Sequence, residues 1–260
     1  MLKIISMKIH HIRNATMVIE TNEAVILVDP MLGKKGILPP FSFIRFKARK
    51  NPTVPLPEQT NAILEKVTHC LITHTHPDHI DMAAERFLIK NNIPVSCSVL
   101  DEKTFRKKGL NVVSTIQYWK ETSFLGGKIE GIPAKHGYGF VSKPMGNVMG
   151  FFIQLPNEPS IYISSDTIYT NHVDKVLKEY KPAISIVAAG AAQFDIFKPL
   201  LMTVKDIVKF IENAPSKVIA NHMEAVNHCP TTRKQLREIL LEKNLLQKTY
   251  IPEDGELIHF

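Results

Sequence analysis

Residues 70–79 read Cys70-Leu71-Ile72-Thr73-His74-Thr75-His76-Pro77-Asp78-His79: an apolar run gives way to three histidines and an aspartate. The triplet Cys70-Leu71-Ile72 predicts a buried strand, and the cluster sits where that strand must end. Neutral imidazole and carboxylate together are the ligand set of a borderline-hard divalent cation. A loop leaving a strand end can splay such side chains toward two neighbouring metal positions, and Pro77 stiffens the turn. A solvated loop that merely happens to be rich in histidine would have neither the buried strand before it nor partners downstream.

Four ligands on one loop do not fill two coordination shells, so further ligands are expected at the ends of other strands. Three residues fit. His136 follows the strand-like stretch 128–134 and precedes Gly137 and Gly139; Asp166 follows Tyr162-Ile163-Ser164; His222 follows Val218-Ile219-Ala220.

Outward from this cluster the chain alternates. Short strands are predicted at 8–13, 16–20 and 24–28, ended by Asp29-Pro30, since proline cannot continue the ladder. Residues 31–57 form a long loop rich in proline and lysine, of a length that is usually functional or mobile. A helix is expected over 58–67, another from an Asp81 cap to Ile89, a strand at 94–97 and a helix over 102–108. From Val112 to Leu155 the pattern is β, with Gly126-Gly127 as a hairpin turn, and 161–164 is a further strand. The last third alternates a helix from Val173, a strand at 184–187, a helix from Lys205 behind a Thr203/Asp206 capping box, a strand at 217–220, a helix over 233–243 and two short strands. Strand clusters in each half, followed by helices, predict two packed sheets with helices outside.

This order of motifs resembles the metallo-β-lactamase superfamily: His-x-His-x-Asp-His after a strand, then a lone His, Asp and His at strand ends, over nearly the whole chain. The resemblance implies an α/β fold, a four-layer αββα sandwich, as one hydrolase domain over residues 1–260. It also implies that His74, His76 and His136 hold one metal, that Asp78, His79 and His222 hold a second with Asp166 bridging, and that a buried Asp29 supports the metal-binding loop. Within the superfamily, residues 13–30 and 222–230 resemble the ascorbate phosphate lactonase-like branch, although Arg13-Asn14 stands where related members often place a His after a Gly. The activity implied is hydrolysis of a small ester, lactone or phosphate-bearing metabolite by a metal-bridging hydroxide, with Asp78 as ligand and water orienter. The alternative is a phosphodiesterase or nuclease acting on nucleic acid or phospholipid. With no thiolate in the cluster, two zinc or manganese ions are expected, and iron stays open.

Composition narrows the setting. With 44% apolar and 22% charged residues among 260, the chain matches a globular protein large enough to hold its core without disulfides. Three cysteines (Cys70, Cys97 and Cys229) form no Cys-x-x-Cys pair, which fits reduced thiols and a cytoplasmic location. Residues 1–10 lack the apolar core of a signal peptide, and no apolar run is long enough to span a bilayer. A formal charge of +7 favours acidic partners without selecting one. A small anionic substrate is expected, nucleic acid is not favoured, and a homo-oligomer is left open. The loop 31–57 carries Lys34, Lys35, Arg45, Lys47, Arg49 and Lys50 beside Phe41, Phe43 and Phe46, so it is expected to act as a lid. Arg45, Asn14 and His228 are candidate substrate contacts. His10, His11, His69, His172 and His259 lack ligand spacing and read as ordinary histidines.

Overall fold

The computed structural model describes residues 7–260; the reading of residues 1–10 as free of a signal peptide falls in part on 1–6 and there lies outside the described residues. The strands fall into two seven-stranded sheets. In the first, β1 (Lys8–Arg13), β2 (Thr16–Glu20) and β3 (Val25–Val28) form an antiparallel meander. Beyond it β4 (His69–Ile72), β5 (Val95–Ser98) and β6 (Val112–Ile116) add in parallel. In the second, β7 (Glu121–Phe124), β8 (Gly127–Pro133), β9 (Met149–Gln154) and β10 (Ile161–Ile163) are antiparallel. The parallel strands β11 (Ile184–Ala188), β12 (Lys217–Asn221) and β13 (Thr249–Tyr250) complete it. The last strand, β14 (Leu257–His259), crosses back and pairs antiparallel with β1.

Apolar side chains on both faces of the central strands dictate the layering. Ile9, Ile19, Ile26, Phe151, Ile163 and Ile186 meet between the sheets. Outside the first sheet, α1 (Thr60–Leu64), α2 (Met82–Lys90) and α3 (Glu102–Lys107) bury Ile63, Leu88 and Phe105 against Val18, Leu27 and Ile72. Outside the second, α4 (Asn171–Lys175), α5 (Val204–Asn213) and α6 (Arg233–Glu242) cover Tyr162 and Val218 with Val173, Phe210 and Leu236. This is the expected αββα sandwich. Fully buried strands such as β11 read as apolar runs because helices or the facing sheet close both sides.

Local signals behaved unequally. Asp81 caps α2 by accepting from the Ala84 N–H, and Thr203 and Asp206 form a reciprocal capping box. The helix expected over 58–67 contracts to Thr60–Leu64, since no side chain caps its start. The hairpin turn also sits one residue earlier than expected: Phe124 pairs with Gly127, so Leu125 and Gly126 make the turn, with φ of 49° and 76°. Gly127 instead opens β8, where an added Cβ would lie 2.1 Å from the Gln154 carbonyl oxygen. Residues 31–57 hold no helix or strand, only an isolated bridge between Leu38 and Asn51.

The topology gathers one end of the sandwich. The loops after β3, β4, β8, β10 and β12 all open there and carry, in order, Asp29, residues 73–79, His136, Asp166 and His222.

Candidate metal centre

Asp29 organises the site although it holds no position in the ligand set. Its Oδ1 accepts from the Thr73 backbone N–H at 2.8 Å, and its Oδ2 accepts from the Thr73 hydroxyl at 2.7 Å. Nδ1 of His79 lies 2.9 Å from the same Oδ2. A carboxylate only accepts, so His79 carries its hydrogen on Nδ1 and its lone pair on Nε2. The Thr73 hydroxyl directs its hydrogen to Asp29, so its oxygen accepts from Nδ1 of His74, 2.9 Å away. His74 therefore also presents an Nε2 lone pair. His136 follows the same rule, because its Nδ1 lies 3.0 Å from the Leu200 carbonyl oxygen.

These lone pairs converge. Three groups of side chains each bring ligand atoms within 4.8 Å of one another: His74 with His76 and His136; His74 with His79 and Asp166; and Asp78 with His79 and His222. The seven residues that the sequence singled out are thus brought together, and Asp166 lies between the outer two groups. Nε2 of His79 faces Nε2 of His222 at 3.2 Å, and Nε2 of His136 lies 3.4 Å from Asp166 Oδ2. His222 Nε2 is also 3.3 Å from Asp78 Oδ2. Asp166 Oδ1, fully enclosed, lies 3.3 Å from His79 Nε2 and 3.6 Å from His222 Nε2 and makes no hydrogen bond of good geometry with either.

Such an arrangement needs positive charge at its centre. Burial holds His74 and His136 below the usual imidazole range, and so neutral. Burial also opposes a proton on His79, but the carboxylates of Asp166 and Asp29 outweigh it and push this group up to about 10. His222 is raised likewise, by Asp166 and its neighbours against burial. Burial would raise Asp78 and Asp166, yet the surrounding imidazoles hold both well below the usual carboxylate range. Protons alone would face two imidazolium rings at 3.2 Å, an unfavourable pair. Divalent cations between lone pairs and carboxylates satisfy both partners, so the donor set fits a metal centre. The backbone supports this reading: Asn14, Asp29, Ser165 and His222 have φ of 53°, 45°, 56° and 58°. Left-handed backbone at a non-glycine residue such as His222 is costly, and it gathers where geometry is imposed.

The candidate substrate contacts separate. A cleft of about 120 Å³ opens on the centre, lined by His76, Pro77, Asp78, His136 and Asp166 and by Phe41, Met145, Phe194, Leu200 and His228. His228 is in its wall. Asn14 is not: it is fully enclosed, donates from Nδ2 to the Asp78 backbone carbonyl and accepts at its backbone carbonyl from the His222 N–H, tying two ligand loops together. Arg45 is not in the wall either. Its side chain is exposed and its Nε donates to the Phe194 and Asp195 carbonyls at 3.0 and 3.1 Å. The loop 31–57 does reach the cleft, through Phe41 alone. Asn227 holds it there, accepting from the Phe41 N–H and donating to the Ser42 carbonyl, while the Asp195 carboxylate accepts from the N–H groups of Phe43, Ile44 and Arg45. Sequence reasoning missed Met145, Phe194 and Leu200; the usable signal was that the loop after β11, which carries Phe194 and Leu200, and the loop after β8, which carries Met145 beyond His136, leave the same end of the sheet.

A family model described as a β-lactamase superfamily domain matches residues 25–223. The chain is 32% identical over 256 residues to the UPF0173 protein YddR of Bacillus subtilis, covering 98% of this chain and 100% of that one. It is similar in structure to a possible metal-dependent hydrolase from Veillonella parvula (TM-score 0.88, 30% identity, 96% of this chain and 98% of that one). It is equally similar to an isothiocyanate hydrolase from Delia radicum gut bacteria (TM-score 0.87, 31% identity, 97% and 99% covered). The chain belongs to the metallo-β-lactamase superfamily and, within it, to the UPF0173 metal-dependent hydrolases. It is a metal-dependent hydrolase of that fold.

Proposed function

We propose that this hydrolase acts on a small, uncharged electrophile whose apolar substituent lies against the wall formed by Phe41, Met145, Phe194 and Leu200. His74, His76 and His136 hold one divalent cation and Asp78, His79 and His222 a second, with Asp166 between them; zinc or manganese fits these nitrogen and oxygen donors, and iron is the third choice. One observation carries the substrate class. Apart from the ligand side chains and His228, the cleft wall is Phe41, Pro77, Met145, Phe194 and Leu200, and among the described residues no lysine or arginine lines it. A phosphate-bearing substrate would enter with its charge facing apolar walls. The proposal therefore departs from the anionic substrate expected from the basic loop, whose Arg45 faces the Phe194 and Asp195 carbonyls instead.

Divalent cations bound here would acidify water and polarise the substrate's heteroatom. The chain does the rest. Asp78 and Asp166, held ionised and both beside His222 Nε2, would accept from and so orient the attacking water. Phe41, Met145 and Phe194 exclude bulk water and position the substituent. The similar isothiocyanate hydrolase supports an electrophilic carbon between heteroatoms. For that substrate the balance is isothiocyanate plus water giving amine plus carbonyl sulfide; for an ester or lactone it is acid plus alcohol. Three buried free cysteines support a reducing, cytoplasmic setting.

The test is a panel with zinc, manganese and, without oxygen, iron: phenyl acetate, a γ-lactone, benzyl isothiocyanate and bis(p-nitrophenyl) phosphate. The uncharged substrates should be turned over far faster than the phosphodiester. A phosphodiester hydrolysed fastest would replace this reading with the phosphodiesterase one.

A further inference from the structure

Building on the proposed substrate class, we infer that His228 is a substrate-contacting residue, a neutral imidazole clamped in the cleft wall to hydrogen-bond the substrate's heteroatom. The ring is only 6% exposed and lines the cleft together with His76, Asp78, His136 and Asp166. Phe194 stacks on one face, with centroids 5.6 Å apart at 18°, and Phe41 meets the ring edge-on at 5.1 Å and 88°. Within this aromatic slot its Nδ1 is enclosed and has no hydrogen-bond partner. Buried polar atoms are almost always paired, so an unpaired one beside a reaction centre marks a place for a ligand.

Packing does not explain the residue. A phenylalanine would fill the same slot between two aromatic rings and leave no nitrogen unpaired. The ring is also held by design of the surrounding backbone. Asn227, one residue earlier, is bonded to Phe41, Ser42 and Asn51, and the His228 carbonyl accepts from the Gln193 N–H at 3.0 Å. Both loops that supply the flanking phenylalanines are thus fastened to the 227–228 backbone. Burial pushes His228 down to about 4, so at neutral pH the ring offers one N–H donor and one lone pair. It is no metal competitor of the clustered histidines, because it belongs to none of the three groups that could hold an ion. Its chemistry suits a substrate whose heteroatom gains partial negative charge as water adds to the neighbouring carbon. The hydrogen bond stabilises that charge without transferring a proton.

Two variants of the metal-loaded protein test this. His228→Phe keeps the aromatic stack and removes the nitrogens; His228→Gln restores a hydrogen-bonding amide. With phenyl acetate and benzyl isothiocyanate, kcat of His228→Phe should fall on the order of 10²-fold, as for loss of one preorganised donor. Metal content and Tm should stay at wild-type values, and His228→Gln should recover part of the loss. A His228→Phe protein with full metal and kcat within about threefold of wild type would overturn the inference. A readout independent of turnover uses zinc-loaded protein with ¹⁵N-labelled histidine and phenylacetamide, an uncharged inert analogue. The ring signals absent from His228→Phe should shift on titration. Unmoved signals overturn the role of His228, whereas shifted signals with no turnover of either probe would fault the proposed reaction and leave the contact standing.

Discussion

The ligand cluster and the cleft wall share one end of the sandwich but are built differently. Each ligand sits within a few residues of a strand end, and Asp29, Thr73 and the Leu200 carbonyl fix which ring nitrogen faces inward. The wall is assembled largely from loop residues, over 41–51, 193–200 and 227–228, joined by Asn227 and Asp195, with Met145 from the loop after β8 beside them. Strand-borne geometry is stiff and suits metal chemistry, where small misplacements are costly. Loop-borne geometry can change with few consequences for the core, and it sets what the chemistry acts on. Variants should therefore divide into those that lose the metal centre and those that only change the substrate.

The largest effect is expected inside the cluster. Asp166→Ala should lower kcat/KM by roughly 10³-fold or more, since several kcal/mol of charge stabilisation is lost, while the circular dichroism of the metal-free protein stays near wild type. An active Asp166→Ala protein would remove the residue from between the two cation positions. One step outward, Asp29→Asn keeps the shape but weakens acceptance from Thr73 and His79. Metal affinity measured by competition with a chelator should drop by about 10- to 100-fold, with KM almost unmoved once metal is saturating.

The third prediction concerns pH. His79, raised from 6.5 to about 10, keeps its proton in the metal-free protein. Its contribution to stability is complete below pH 6.5 and is lost as pH rises through about 10. A cation must displace that proton, so the gain in Tm on zinc or manganese loading should be larger at pH 9 than at pH 7, and smallest near pH 6. A gain independent of pH would show that no proton is exchanged.

Effects in the wall should be smaller and of another kind. Asn227→Ala releases the Phe41 loop and should raise KM several-fold for an aryl substrate, since positioning is lost while ligands are kept, with metal content unchanged. Smallest of all, replacing Arg45, Lys47 and Arg49 together with Gln should leave KM for an uncharged substrate within about twofold, the salt dependence being that of exposed, screened charge. A strong rise in KM for an anionic substrate alone would return the loop to the charge-reading lid first expected of it.

This division also explains what could be read in the sequence. The strands carrying Asp29, His74 and His222 were legible because burial on both faces leaves apolar runs, and a polar residue just beyond such a run is conspicuous. The αββα layering followed from the same runs and from the caps at Asp81 and Thr203. Loop geometry leaves no period. Phe41, Phe194 and Met145 look like any apolar residue outside a strand, and long-range hydrogen bonds from Asp195 and Asn227 join the segments of Phe41 and Phe194 beside the cleft. Arg45 misled for the same reason, since charge in a loop says nothing of which way the loop turns. The turn at Leu125-Gly126 was misplaced by one residue because two adjacent glycines offer two registers, and only the Gln154 carbonyl beside Gly127 decides between them.

The pairing of β14 with β1 has a consequence for how the polypeptide is made. Residues 257–259, which cover the outer edge of residues 8–13, are synthesised long after them. Until then the edge of the first sheet is the six-residue β1 and not the three-residue β14, and a longer open edge recruits strands from other chains more readily. The first sheet thus gains its last strand only once residues 257–259 are made, and deleting them should lower soluble yield more than it lowers the activity of the molecules that do fold.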